Sequence, residues 1–197
     1  MRIKLFGTEI YISFLFVALM AVLIATDRTG LIYPMLFAVT IHETAHLFMM
    51  WALSCTPKQV CLFPAGVRIV RGITEKVQDE IIIAAAGPLI NLFCTGIFVI
   101  NYLTYGKETT LIYGLTNLAV GLFNLLPVKQ LDGGVIIKSI LIKKTTEQKA
   151  DKILTAITII LAVSVFSAGV YLIKTDRCNL SLIIMSIYLF LSAIIKM

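Results

Sequence analysis

Residues 31–53 read LIYPMLFAVTIHETAHLFMMWAL, an apolar run interrupted near its middle by Thr40, His42, Glu43, Thr44 and His46. A helix needs roughly 20 mostly apolar residues to cross a hydrocarbon layer of about 30 Å, and this run is long enough. An ionisable side chain near the centre of such a helix costs roughly 2.5–3.5 kcal/mol on insertion scales, so His, Glu and His within one turn need a partner. The chain has two histidines, and both are here.

The rest of the sequence is of the same kind. Of 197 residues, 59% are hydrophobic and 14% charged, a balance too apolar for a water-soluble domain of that size. Apolar runs of spanning length cover Ile10–Thr26, Leu31–Leu53, Ile81–Leu103, Thr110–Leu126, Ile153–Ile173 and Leu180–Ile195. The expected fold is therefore an all-α polytopic membrane protein of about six transmembrane helices. Arg2 and Lys4 precede the first run as in a secretory signal, but no A-x-A cleavage site follows it, so it is read as retained. No repeat, low-complexity tract or Ser/Gly linker interrupts residues 1–197, which are expected to form a single domain.

Six spans put both termini on one side, together with the loops after the second and fourth runs. That side carries thirteen of the 17 basic residues; Arg28, Lys107, Lys174 and Arg177 fall on the other. Basic residues are retained in the cytosol, so both termini are expected there. The same bias accounts for the net charge of +6. No basic stripe is interleaved with exposed aromatics, so nucleic acid is not an expected partner. The cysteines make no framework: Cys55 and Cys61 face the reducing side without an adjacent histidine, Cys94 sits in a span and Cys178 stands alone.

Between the second and third runs, residues 56–79 contain Pro57, Pro64, Gly66 and Gly72, with strand-like Val60, Leu62, Val67, Ile69 and Val70 among them. A short cytosolic β-hairpin is expected there. The stretch Val128–Lys152 is Lys-rich and mixed, consistent with an interfacial helix.

His42-Glu43-x-x-His46 is an H-E-x-x-H motif. Residues four apart on a helix differ by about 40° around the axis and about 6 Å along it, so both rings can reach one tetrahedral cation. Glu43 beside the first ring can accept a proton from water that the cation has acidified. Catalytic zinc generally has three protein ligands, and no third histidine exists. The remaining donor is expected to be a carboxylate. Asp132 follows the fourth run in Asn124-Leu-Leu-Pro127-Val-Lys-Gln-Leu-Asp132-Gly133-Gly134, where Pro127 stops the helix and the paired glycines permit a sharp turn. If the second helix runs inward, His42 and His46 lie in the cytosolic half of the bilayer, and Asp132 arrives on the same side.

The third run carries Ala84-Ala-Ala-Gly87-Pro88-x-x-Asn91. Its small residues allow close helix approach. An amide in hydrocarbon needs partners, and Asn91 has two candidate roles: stabilising the oxyanion of a tetrahedral intermediate, or bridging helices. Asn124 is a weaker candidate for the first.

These three elements, in this order, resemble the site-2 protease family of intramembrane metalloproteases. The resemblance covers nearly the whole chain and is most similar to the sporulation (stage IV FB-type) branch, without its C-terminal nucleotide-sensing CBS domain. It implies Zn²⁺ held by His42, His46 and Asp132, Glu43 as general base, and cleavage near the cytosolic face of a bacterial plasma membrane. It further implies a membrane-associated protein substrate of sigma-factor or anti-sigma type, regulatory membrane proteins as partners, and a loop around Val60–Val70 that admits extended substrate by strand addition. Nucleotide control is not carried over. Two other functions are compatible with buried His and Asp alone: a zinc or proton transporter, and a non-catalytic metal-stabilised scaffold.

Overall fold

A computed structural model of the chain describes residues 2–5, 8–55, 57, 59–63, 66–70, 76–174 and 180–194. Thr56, Lys58, Pro64, Arg71, Gly72, Arg177, Cys178, Ile195 and Lys196, which entered the sequence reading, lie outside the described residues. The chain is mostly helical and divides into two compact units, Met1–Phe123 and Asn124–Met197.

The first unit joins a small sheet to four helices. β1 (Arg2–Leu5), β2 (Thr8–Ile12), β3 (Gln59–Phe63) and β4 (Gly66–Val70) form one sheet in that order. β1 and β2 are antiparallel, β2 runs parallel to β3 with Glu9 opposite Gln59, and β3 and β4 are antiparallel with Gln59 opposite Val70. The first apolar run therefore begins as a strand, not a helix. Ile10 and Ile12 are β-branched and suit extended backbone, and the Ser13 N–H continues the pairing to the Leu62 carbonyl at 3.0 Å. Helix α1 (Phe14–Thr26) has 13 residues, or about 20 Å, well short of the hydrocarbon thickness.

Helix α2 (Ile32–Ala52) follows a turn built on Asp27. One carboxylate oxygen of Asp27 accepts from the Thr29 hydroxyl (2.8 Å), the Thr29 N–H (2.9 Å) and the Gly30 N–H (3.1 Å), and the other accepts from the Ile32 N–H (3.1 Å). These bonds, the Thr29 hydroxyl first, hold the carboxyl below the usual carboxylate range. Helix α3 (Val77–Tyr105) continues through Pro88 and ends at Gly106, whose φ of 65° closes the helix with a bond to the Tyr102 carbonyl. Leu89, Phe93, Ile97, Ile100 and Leu103 form an exposed stripe along α3, while Ile83, Ala84, Gly87, Pro88, Asn91 and Cys94 are buried on it. An apolar stripe outside and an amide inside is the arrangement hydrocarbon favours. Helix α4 (Glu108–Asn124) buries Gly114, Asn117 and Gly121, spaced to lie on one face.

The second unit holds α5 (Asp132–Ile142), α6 (Glu147–Lys174) and α7 (Leu180–Ile194). Its opening loop is fastened to α6 in two ways. Val128 is buried beside Ala162 and Leu189, and Lys129 donates from its N–H to the Thr158 hydroxyl (3.3 Å) and from Nζ to Asp151 (2.8 Å). Asp151 also pairs with Lys138 of α5 at 3.1 Å. The paired glycines at the start of α5 serve close approach: a Cβ at Gly133 would strike the Leu125 carbonyl, and one at Gly134 would strike that of Val128. Gly134→Ala is accordingly expected to cost about 1–3 kcal/mol by overpacking against backbone, read as a lower Tm in detergent.

Among the described residues, two helices are long and apolar enough to cross a membrane, Val77–Tyr105 and Glu147–Ile173. α1 and the segment Leu182–Leu191 are apolar but shorter. α2 is diluted by the polar residues at its middle, and α4 is only 17 residues long. Of the about six spans expected, Val77–Tyr105 and Glu147–Ile173 meet the length and apolarity of a membrane crossing among the described residues.

Candidate metal centre

His42 and His46 are both buried, 3% and 6% exposed, on the face of α2 that meets α3. Each ring is held at Nδ1. His46 Nδ1 donates to the Ile83 carbonyl at 2.7 Å, and His42 Nδ1 donates to Asn91 Oδ1 at 2.6 Å. A carbonyl oxygen can only accept, so each Nδ1 carries a proton, and in the neutral ring each Nε2 is then left with its lone pair. The two Nε2 atoms are 3.1 Å apart.

That separation tests whether a metal fits. Two tetrahedral ligands at the usual Zn–N length of about 2.0–2.1 Å stand about 3.3 Å apart, so the paired rings already match a zinc edge. Anchoring of the distal ring nitrogen by a carbonyl is also the usual way a metal-binding histidine is oriented. The neighbouring backbone is shaped to suit. Gly87 of α3 faces both rings, and a Cβ there would come within 2.7 Å of His42 Nε2 and closer still to His46 Nε2.

Asn91 is fully buried, and its two amide hydrogens go to the Ala38 carbonyl (3.0 Å) and to Asn117 Oδ1 (2.9 Å). These two bonds join α3 to α2 and to α4. Asn91 Oδ1 is the acceptor that His42 Nδ1 faces. Asn124, the last residue of α4, is half-buried. Glu43 is half-buried and opens onto a cavity of about 590 Å³. Thr40 and Thr44 line it beside Glu43, and the remaining wall is apolar: Phe16 and Met20 from α1, Val39 and Leu47 from α2, and Ile10, Val60 and Leu62 from the sheet. Asp132 is the first residue of α5, half-buried, behind an extended Leu131. The first unit thus brings His42, His46 and Asn91 together and puts Glu43 at a cavity.

Sequence reasoning missed two contributors. Asn117 is completely buried and touches Asn91; its signal was an amide between Gly114 and Gly121 on one face of an apolar helix. The Ile83 carbonyl left no signal, since any residue supplies one.

Comparison with known proteins bears on this arrangement. Residues 106–165 match peptidase family M50. Over 205 residues the chain is 28% identical to a zinc metalloprotease of Methanocaldococcus jannaschii, covering 96% of this chain and 58% of the relative. The chain therefore spans somewhat over half the length of that curated relative. It is also similar to the solved structure of a site-2 protease from Methanocaldococcus jannaschii, with a TM-score of 0.73 and 25% identity, covering 98% of this chain and 93% of that one. All three findings support peptidase family M50, the site-2 proteases.

Proposed function

We propose that the chain is an intramembrane zinc metalloprotease that hydrolyses a peptide bond of a membrane-associated protein near the cytosolic face. The observation that carries this reading is the pair of imidazoles on α2, fixed through Nδ1 so that their Nε2 atoms converge at 3.1 Å, with Glu43 beside the first of them. His42 and His46 would hold zinc, with Asp132 as third ligand. The case for Asp132 is chemical: a third donor is needed, both histidines are used, and this carboxylate follows a loop tied down by Val128, Lys129 and two glycines.

Bound there, zinc supplies Lewis acidity that makes water acidic enough to lose a proton near neutral pH. The Glu43 carboxylate would be the base that holds a proton beside the site and passes it to the leaving amine. The cavity before Glu43 suits an extended, largely apolar segment, since its polar lining is confined to Glu43, Thr40 and Thr44. A helical substrate has its backbone groups bonded internally, so it must unwind locally to present a carbonyl. β4 lies at an edge of the sheet, and pairing with that edge would hold such a segment extended. A bacterial plasma membrane location with cytosolic termini, regulatory membrane partners and a sigma-factor or anti-sigma substrate belong to the same proposal, supported by the charge bias and the sporulation-branch resemblance.

Asp132→Ala tests the ligand set. Loss of one of three ligands is expected to reduce zinc content in the purified protein to well under one equivalent and to abolish cleavage, with helical content unchanged. A full equivalent of tightly held zinc in that variant would remove Asp132 from the site. Substrate identity is best read by comparing new protein termini in membranes from cells carrying the native chain and the Glu43→Gln variant.

A further inference from the structure

A polar relay leads away from His42 through two buried amides. Asn91 and Asn117 are both completely buried. Asn117 Nδ2 donates to the Tyr113 carbonyl at 2.8 Å, one turn earlier on α4. Its Oδ1 is thereby turned to α3, where it accepts from Asn91 Nδ2 at 2.9 Å. Asn91 donates its other hydrogen to the Ala38 carbonyl and turns its own Oδ1 to His42 Nδ1.

Each orientation in this chain follows from the one before it. The Tyr113 carbonyl can only accept, which decides which end of the Asn117 amide faces it. With Asn117 so turned, a flipped Asn91 would set its oxygen against two acceptors, the Ala38 carbonyl and Asn117 Oδ1. It would also present NH₂ to His42 Nδ1, which would then have to accept. The proton would move to Nε2, the atom the ligand reading needs bare.

We propose that Asn117 is a positioning residue that fixes the tautomer of His42 through Asn91, so that the ring presents an unprotonated Nε2. The inference deepens the metal-site reading and rests on it for its purpose, though not for its test. The packing of α4 is consistent with this duty. Its buried face consists of Gly114, Asn117 and Gly121; a Cβ at Gly121 would stand 3.1 Å from the Asn91 Cβ, and one at Gly114 would stand 3.3 Å from the Phe98 Cβ. Small residues on both sides of Asn117 let α4 come close enough for a short amide to reach across.

The chain's two histidines make the test direct. Full-length protein labelled with ¹⁵N-histidine is stripped of metal and held in bilayer discs at alkaline pH, where the signals of the neutral imidazole are read. In the native chain both rings are expected to give the ring-nitrogen shifts of the Nδ1–H tautomer. In Asn117→Leu the His42 shifts are expected to move to those of a tautomer mixture, while His46, anchored on the Ile83 carbonyl, stays unchanged. Zinc affinity should fall about ten-fold in Asn117→Leu, as for other partners of metal-binding histidines. An unmixed Nδ1–H signal for His42 in Asn117→Leu would overturn the proposal, as would equal changes in both rings of a variant that keeps native helicity. If the leucine prevents folding, Asn117→Ala carries the same expectations without added bulk. The tautomer is read without zinc or substrate, so its result stands apart from whether the protein is a protease.

Discussion

Glu43→Gln protein should bind a full equivalent of zinc and cut its substrate at least about a hundred-fold more slowly than the native chain. The substitution changes little but proton chemistry. The amide occupies nearly the same volume on the same face of α2, and both imidazoles keep their Nδ1 anchors on Asn91 and Ile83. General base catalysis contributes roughly 10²–10⁴ in rate, and glutamine cannot accept the proton. Zinc content by atomic emission and cleavage of a reconstituted membrane substrate give the two readouts. The combination separates the enzyme from its alternatives: a metal-stabilised scaffold has no need of the carboxylate, and a transporter should carry zinc into sealed vesicles. Cleavage at the native rate by a zinc-loaded Glu43→Gln protein would rule out the role assigned to Glu43.

Gly87→Ala should lose zinc rather than proton transfer. One methyl group at this position would come within 2.7 Å of His42 Cε1 and Nε2 and closer to His46 Nε2, the atoms that converge on the proposed ion. Neither ring can turn aside cheaply, since each is pinned at Nδ1 by a partner on α3 itself. Displacing α3 to make room would strain those same bonds. A fall in zinc affinity of roughly 100-fold or more is expected, measured by competition with a fluorescent chelator, with a smaller change in thermal stability of the metal-free protein. Native affinity in Gly87→Ala would show that the ion does not sit between α3 and the paired rings.

Gly87 also shows where the sequence stopped. Ala84–Gly87 read as a small-residue stretch suited to close helix contact, and that is how the residue behaves. What it contacts was hidden, because helix periodicity reports which residues share a face and not which face of another helix lies opposite. The sheet was hidden for a similar reason. β2 is parallel to β3 across some fifty residues of chain, and Ile10 and Ile12 by themselves are as suitable for the start of an apolar helix as for a strand.

The sequence by itself determined the apolar, mostly helical character of the chain and the pairing of His42 with His46, because both depend on local quantities: the length of apolar runs and the pitch of one helix. It also singled out Glu43, which is chemically tied to its neighbour. The orientation of Asn91 was decided only by tertiary structure. A carboxamide can donate or accept in either direction, and what turned its oxygen to His42 was the Ala38 carbonyl on one helix and Asn117 on another, partners that no spacing within α3 encodes.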